Sequence, residues 1–409
     1  MVGGAVRDKI LGIPVQDKDW LVIGATPDEM QSQGFTQVGK DFPVFLHPET
    51  KEEYALARTE RKIGKGYVGF ETSFDPTVTV EEDLARRDIT INAMAMDENE
   101  NMIDPYGGQE DIKQKQLRHV TTAFVEDPLR VLRVCRFSAR YNYLSFKIND
   151  ETLSLMRTIV ESRELETLAV ERVWMETKKA LMERTPSIYF ESLRSCGALS
   201  ELFPEVYRLF GVEQRKEFHP EIDAGIHTMM TIDKAAELHA CAEVRFACLV
   251  HDLGKADTPK DVLPKHIGHE VLSVKRVNQL CKRLMVPNSY SQLAIYVAKY
   301  HTQCHQALTL RPATIVKLFE SLDAYRKKDN LTNFLLACKA DGLGRKGFGS
   351  SDYQQYGYLL RLFEKTKEVD PKPIVESGFK GDEIREAIRR KRIQIVAMEK
   401  NAIANDLSS

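Results

Sequence analysis

Residues 14–24, PVQDKDWLVIG, set two acids one residue apart at the mouth of an apolar run. In a strand successive side chains point to opposite faces, so Asp17 and Asp19 are expected to share one face and Lys18 the other. Two carboxylates side by side repel each other and resist burial unless positive charge lies between them. A strand end with its acids in water is the simple reading. The preceding VGGAVRD (2–8) suggests more, because Gly3 and Gly4 stand directly before a helix-compatible stretch. Glycine permits close backbone approach to a phosphate, and N–H groups at a helix start favour anions. The order strand, GG, helix, strand, D-x-D thus places a phosphate cradle beside a divalent-metal site. Two Mg²⁺ ions about 3.5–4 Å apart on such acids activate an attacking hydroxyl and steady a leaving pyrophosphate.

At 409 residues the chain is too long for one core and should form two or three domains. Hydrophobic content of 43% with 29% charged residues is that of a soluble globular protein. Net charge near −2 means that any nucleic-acid contact must come from local basic surface. No apolar run is long enough to span a bilayer, so no membrane role is expected, and no signal-peptide pattern is visible. The seven scattered cysteines, with no C-x-x-C pair, point to reduced thiols and a cytoplasmic location.

Short β-compatible runs punctuated by Gly and Pro occupy the first part of the chain, closed by the turn cluster DPYGGQEDI (104–112). Helical periodicity follows from about 124, and a further helical region opens near HPEIDAGIHTMM. Nine of the ten histidines lie beyond residue 118, so metal or acid–base chemistry based on histidine belongs to the later part. The expected architecture is an α+β head at 1–118, a helical neck at 119–210, an all-α domain at 224–341 and a helical tail at 342–409.

GGAVRD…DKDW, RRDITINAMA and EDPLRVLRVCRF resemble the signature of class II CCA-adding tRNA nucleotidyltransferases, and the added HDLGK resembles the bacterial multifunctional form with an HD phosphohydrolase domain. The resemblance implies a polymerase-β-like head in which Asp17 and Asp19 hold catalytic Mg²⁺. Gly4 and Arg7 would contact the nucleotide, Arg87 the triphosphate and Asp88 the sugar, with Arg133 and Arg136 also in the nucleotide-binding set. Family members carry several more residues before the glycine pair, so either the start is truncated here or the first strand is short. No third head carboxylate can be placed.

Asp127 before Pro128 is a strong helix start, and capping alone would explain it. Arg133, Arg136 and Arg140 follow along one helical face, a pattern that by itself would suit solvent. Cytosine and adenine, however, each present an amino donor beside a ring-nitrogen acceptor, whereas uracil and guanine present the reverse. An Asp acceptor beside an Arg donor, Asp127 with Arg130, fits C and A and repels U and G. Such a bidentate contact discriminates by about 1–3 kcal/mol. ARTERKIGKGYVGF (57–70), with Gly64, Gly66 and Gly69, reads as a mobile loop. By resemblance it is the flexible element of full CCA addition.

His227, His251, Asp252 and Asp341 fit the H…HD…D metal set of the HD superfamily, suited to Ni²⁺, Co²⁺, Mn²⁺ or Mg²⁺. His266, His269, His301 and His305 either line the same cleft, complete a second site or face solvent. The resemblance implies phosphatase, 2′-nucleotidase and 2′,3′-cyclic phosphodiesterase activity there, with tRNA, CTP and ATP as partners and a monomer or homodimer as the assembly. A bacterial poly(A) polymerase, and an HD hydrolase or tRNA-end-binding protein with an inactive head, are the alternatives.

Overall fold

The computed structural model describes residues 1–15, 17–38, 44–62, 70–349 and 352–406. The chain divides into two compact units, Met1–Leu202 and Phe203–Ser409. The first begins as a mixed α/β head and continues as helices, and the second is helical. This is the expected α+β head followed by all-α body and HD regions.

The head sheet has the order β1 (Asp19–Val22), β4 (Glu53–Leu56), β3 (Val44–Leu46), β2 (Thr36–Val38). β1 and β4 run parallel with Asp19 opposite Glu53, and the other pairs are antiparallel. One face of this sheet buries Met30, Phe45 and Leu56. Helix α1 (Gly4–Ile10) precedes β1, and Val2 bridges both Asp19 and Ala95, which pins the glycine turn to the sheet. Gly3 has φ +66°, and a Cβ there would lie 2.5 Å from Arg87 Nη1, which is why glycine occupies this turn.

β1 begins at Asp19, and Asp17 with Lys18 precedes it. The expected common strand face therefore does not form: Asp17 lies before the strand. The stretch 57–70 contributes β5 (Thr59–Lys62) and β6 (Phe70–Ser73), an antiparallel pair, while the mobile loop expected at Gly64, Gly66 and Gly69 lies outside the described residues. Helix α2 (Val80–Ala85) starts at a capping box in which Thr79 and Glu82 bind each other's backbone N–H. It delivers Asp83, Arg86 and Arg87 to one place. Helix α3 (Leu129–Tyr141) is buried along most of its length and packs on α4 (Val170–Leu181).

In the second unit α5 (Ala224–Glu237) is capped by Asp223, whose Oδ1 accepts from Ile226 N at 2.9 Å. The apolar α6 (Ala242–Val250) packs against α5, α8 (Asn288–His305) and α9 (Lys328–Leu343) and ends at His251 and Asp252. The turn 253–257 then lies against α7 (His269–Arg283). No helix is long and apolar enough to cross a membrane, among the described residues. All seven cysteines are free thiols.

That turn meets α7 with no room to spare: Gly254 N donates to Ser273 Oγ at 2.9 Å, and a Cβ on Gly254 would overlap the backbone of His269 and Ser273. We expect Gly254→Ala to destabilise the second unit by about 1–3 kcal/mol, the usual range for overpacking. Calorimetry should show the second unit's transition lowered and the first unit's unchanged; an unaltered second transition contradicts this packing.

Candidate active sites

A cavity of about 1010 Å³ in the first unit is lined by nine arginines and one lysine against four acids, Asp19, Glu60, Asp88 and Asp127. Like charges at this density repel unless each is held, and the acids that hold them lie within and behind the wall. Asp83, fully buried, accepts from Arg86 through Oδ1 (2.7 Å) and from Arg87 through Oδ2 (3.1 Å). Glu60 accepts from Arg58 (2.9 Å) and Arg86 (3.0 Å). Asp8 and Asn92 hold Arg7, which also stacks over Tyr141 at 5.1 Å. Along α3, Arg133 donates to Asp88 (2.7 Å) and Arg136 to Glu176 on α4 (2.6 Å), and the Arg136 guanidinium lies 4.4 Å from the Phe137 ring centre.

Of the expected head residues, Gly4, Arg7, Asp19, Arg87, Asp88, Asp127, Arg130, Arg133 and Arg136 line this cavity, and Asp17 is not among its lining residues. Partial desolvation pushes the Asp19 carboxyl above its usual value; Arg87 opposes this and Asp17 reinforces it. Oxygen-donor carboxylates such as Asp19 and its neighbour Asp17 fit a hard cation such as Mg²⁺.

The base-reading pair departs from expectation. Asp127 stands one residue before Pro128, the N-cap of α3, and its Oδ1 accepts from Leu129 N (3.0 Å), while its Oδ2 lies 3.7 Å from Arg172. Arg130 is buried and donates to the carbonyls of Ala123 (2.9 Å) and Arg86 (2.7 Å), so it is braced against backbone rather than standing free beside Asp127. Sequence reasoning missed Asp83, Glu60, Arg172 and Glu176. Asp83 had a signal, its i+3 and i+4 spacing to Arg86 and Arg87; Glu176 lies 40 residues from Arg136 and had none.

In the second unit His227, His251, Asp252 and Asp341 converge, all at most 2% exposed. His227 Nε2 lies 3.0 Å from Asp341 Oδ1, and His251 Nε2 lies 3.1 Å from Asp252 Oδ2 and 3.8 Å from Asp341 Oδ2. His251 Nδ1 is 2.8 Å from the Cys248 carbonyl; a carbonyl only accepts, so Nδ1 carries the proton and the Nε2 lone pair faces the carboxylates. His251 Nε2 and Asp252 Oδ1 have no hydrogen-bond partner despite burial. Orphaned lone pairs of nitrogen and oxygen around one point are what a divalent ion satisfies, so these four residues fit a metal.

Burial opposes charge on Asp252 and Asp341, yet neighbouring imidazoles, with Lys255 at Asp252, hold both carboxyls well below their usual range. His269, His301 and His305 also reach the cluster, His305 Nε2 lying 2.6 Å from Asp341 Oδ2. His266 instead bonds Thr258 and the Glu213 carbonyl. A cavity of about 790 Å³ opens on the cluster, and Arg215, Lys255, Lys265 and Arg345 line it.

Family models match three successive parts of the chain: the poly A polymerase head domain over residues 1–118, the probable RNA and SrmB-binding site of polymerase A over 145–209, and the HD domain over 225–325. The chain thus carries a poly A polymerase head domain at its start and an HD domain further on. Solved CCA-adding enzymes share its fold. An apo form superposes with TM-score 0.66 at 19% identity, covering 98% of this chain and 90% of that one. The Thermotoga maritima CCA-adding enzyme complexed with tRNA gives 0.63 at 20%, covering 98% and 90%. A CCA-adding enzyme with CTP gives 0.64 at 20%, covering 97% and 86%. The likeness to these solved structures is one of fold.

Buried Asp88, paired with half-buried Arg133, has a pH signature. Burial alone would raise the Asp88 carboxyl, but Arg133, Asn92 and the Ile89 N–H outweigh it and lower the group from 3.8 to about 2. A depressed folded value contributes stability that is complete above the unfolded value and is lost as pH falls towards the folded one, here about 2 kcal/mol. Asp88→Asn should therefore destabilise the first unit near neutrality, with the difference from wild type shrinking between about pH 4 and pH 2. A pH-independent difference in acid unfolding contradicts the pairing.

Proposed function

We propose that this protein builds and repairs the 3′-terminal CCA of tRNA from CTP and ATP, without a nucleic-acid template, in the cytoplasm. The observation that carries this reading is Asp127 standing in the arginine-walled cavity that also contains Asp19. The wall supplies cationic donors for a triphosphate, Asp127 an acceptor for the amino group that C and A share, and Asp19 with Asp17 the ligands for Mg²⁺. Bound Mg²⁺ would supply Lewis acidity to the transfer. Arg87, with Arg7 and Gly4 at the glycine turn, would take the phosphates, while Asp88 would meet the sugar from its place between Arg133 and Asn92. Arg133 and Arg136 complete the cationic wall. Arg130 would complete base selection by releasing one of its two carbonyl bonds, with Arg172 keeping Asp127 oriented. Solved neighbours of this fold were obtained with CTP, with ATP and with tRNA, which supports these partners. The head would extend over 1–118, the neck over 119–210, the HD domain over 224–341 and the tail over 342–409.

For the second unit we propose metal-dependent hydrolysis of phosphate monoesters and 2′,3′-cyclic phosphates at damaged RNA ends, on an ion held by His227, His251, Asp252 and Asp341. Two imidazoles and two carboxylates suit Mn²⁺, Co²⁺ or Ni²⁺ better than Mg²⁺. Arg215 and Arg345 would meet the phosphate.

Supplied with tRNA lacking its CCA end, the protein should add two residues from CTP alone and almost none from ATP alone; long poly(A) tails would move the assignment to a poly(A) polymerase. Asp19→Asn should abolish addition while the melting transitions persist, and normal rates in Mg²⁺ would remove the acid from the reaction. His251→Ala combined with Asp252→Ala should abolish 2′,3′-cyclic AMP hydrolysis and leave CMP incorporation unchanged. Wild type without hydrolysis in Mg²⁺, Mn²⁺, Co²⁺ or Ni²⁺ would make the cluster structural.

A further inference from the structure

We infer that the cavity over the histidine centre carries a base-binding subsite, in which Phe218 and Phe348 hold the nucleobase of a ribonucleotide whose phosphate lies at the buried end. The inference rests on the reading of that centre as a phosphohydrolase. It adds the class of substrate preferred there: nucleoside phosphates of any base over phosphate esters without one.

Two turns of the second unit repeat one design. In the first, Phe218 follows Arg215 by three residues, and Phe218 N donates to the Arg215 carbonyl at 3.1 Å. In the second, Phe348 follows Arg345 by three residues, and Phe348 N donates to the Arg345 carbonyl at 3.0 Å. All four side chains belong to residues lining the cavity of about 790 Å³. One buried carboxylate fixes the two turns to each other and to the centre. Glu221, with its side chain 2% exposed, accepts from Lys346 N through Oε2 at 3.2 Å, and its Oε1 lies 2.8 Å from His227 Nδ1. A carboxylate only accepts, so His227 Nδ1 carries the proton that makes this bond. At the buried end Arg345 Nη2 lies 3.8 Å from Asp341 Oδ1. Each turn therefore brings a guanidinium and a phenyl ring to the same cavity.

The arginines suit a phosphate, but the rings have no such task. Phe218 is 55% exposed and Phe348 42%, and Ile267 on the same lining is 83% exposed. Single exposed apolar residues are ordinary, whereas three around one cavity leave apolar surface for a ligand to cover. Pockets that take whole small molecules span about 300–1,000 Å³, so a phosphate alone would leave most of this one unfilled. A nucleotide matches both halves: its base has flat apolar faces, and its sugar joins that base to a phosphate. RNA ends, on the reading above, present such a group. Stacking on aromatic side chains tolerates every base, because each has a π-face. The subsite therefore favours nucleotides as a class and does not choose among the four bases.

The test follows phosphate release by the full chain in Mg²⁺, Mn²⁺, Co²⁺ or Ni²⁺. Its substrates are the 2′-monophosphates of adenosine, cytidine, guanosine and uridine, and glycerol 2-phosphate, a secondary phosphate ester without a base. The wild type should show similar kcat/KM for the four nucleotides, each well above that for glycerol 2-phosphate. Phe218→Ala combined with Phe348→Ala should raise KM for the nucleotides by about 5- to 150-fold, the range for losing one stacked base, with kcat kept. The same variant should hydrolyse glycerol 2-phosphate as the wild type does. Phe218→Tyr combined with Phe348→Tyr should keep the wild-type KM, since the ring is retained. Equal wild-type kcat/KM with and without a base, one base strongly preferred, or an unchanged nucleotide KM in the alanine variant overturns the subsite and leaves the hydrolase reading intact. An equal loss on both kinds of substrate makes the rings structural and also overturns it. No hydrolysis of any substrate by the wild type overturns both readings.

Discussion

Cationic side chains crowded around one cavity must be braced by buried acids, and the first unit is organised around that constraint. Asp83 is the clearest brace. Its two oxygens hold Arg86 and Arg87 from behind, so both guanidinium groups stay at the wall instead of repelling one another into solvent. Asp88 and Glu176 do the same for successive arginines of α3, and each link ties a helix to another part of the unit. A wall fixed in advance can meet a polyphosphate without first ordering long side chains, which would otherwise consume binding energy. The braces leave net positive charge, because four lining acids face ten lining cations.

The second unit solves the opposite problem. Here lone pairs, not cations, are brought together, and backbone carbonyls of Cys248, His266 and Val297 orient three imidazoles by accepting hydrogen bonds from their Nδ1–H groups. Such outer contacts fix which nitrogen is available and where it points. They also explain the close fit of Gly254 on α7: the turn that carries Lys255 next to Asp252 and the helix that carries His269 must approach without a side chain between them.

Much of this was legible in the sequence. Gly4 of the glycine pair, Asp19 of D-x-D, all three residues of R-R-D, and Asp127 with Arg130 of E-D-P-L-R line one cavity because short capped helices and strands place them there. The H…HD…D set converges although Asp341 is distant in the chain. What was not legible depends on contacts across many residues. The start of β1 at Asp19 leaves Asp17 outside the strand, a boundary that alternation of acids could not give. Arg130 spends its donors on the carbonyls of Ala123 and Arg86, and no spacing rule anticipates a bond across 44 residues. Glu176 and Arg172 sit on α4 and reach Arg136 of α3 and Asp127 just before it, again beyond any local pattern. Of the four further histidines, spacing could not separate His269, His301 and His305, which reach the cluster, from His266, which does not.

The central claim is that the arginine-walled cavity holds a nucleoside triphosphate whose base is read by Asp127. Calorimetric titration of the wild type and of Asp127→Ala with CTP, ATP, UTP and GTP in Mg²⁺ tests it most directly. The triphosphate contacts are common to all four, so the wild type should bind CTP and ATP more tightly than UTP and GTP by about 5- to 150-fold, equivalent to about 1–3 kcal/mol. Asp127→Ala should erase that ratio by weakening CTP and ATP. Equal affinities for the four nucleotides in the wild type, or a ratio unchanged in the variant, would contradict the claim.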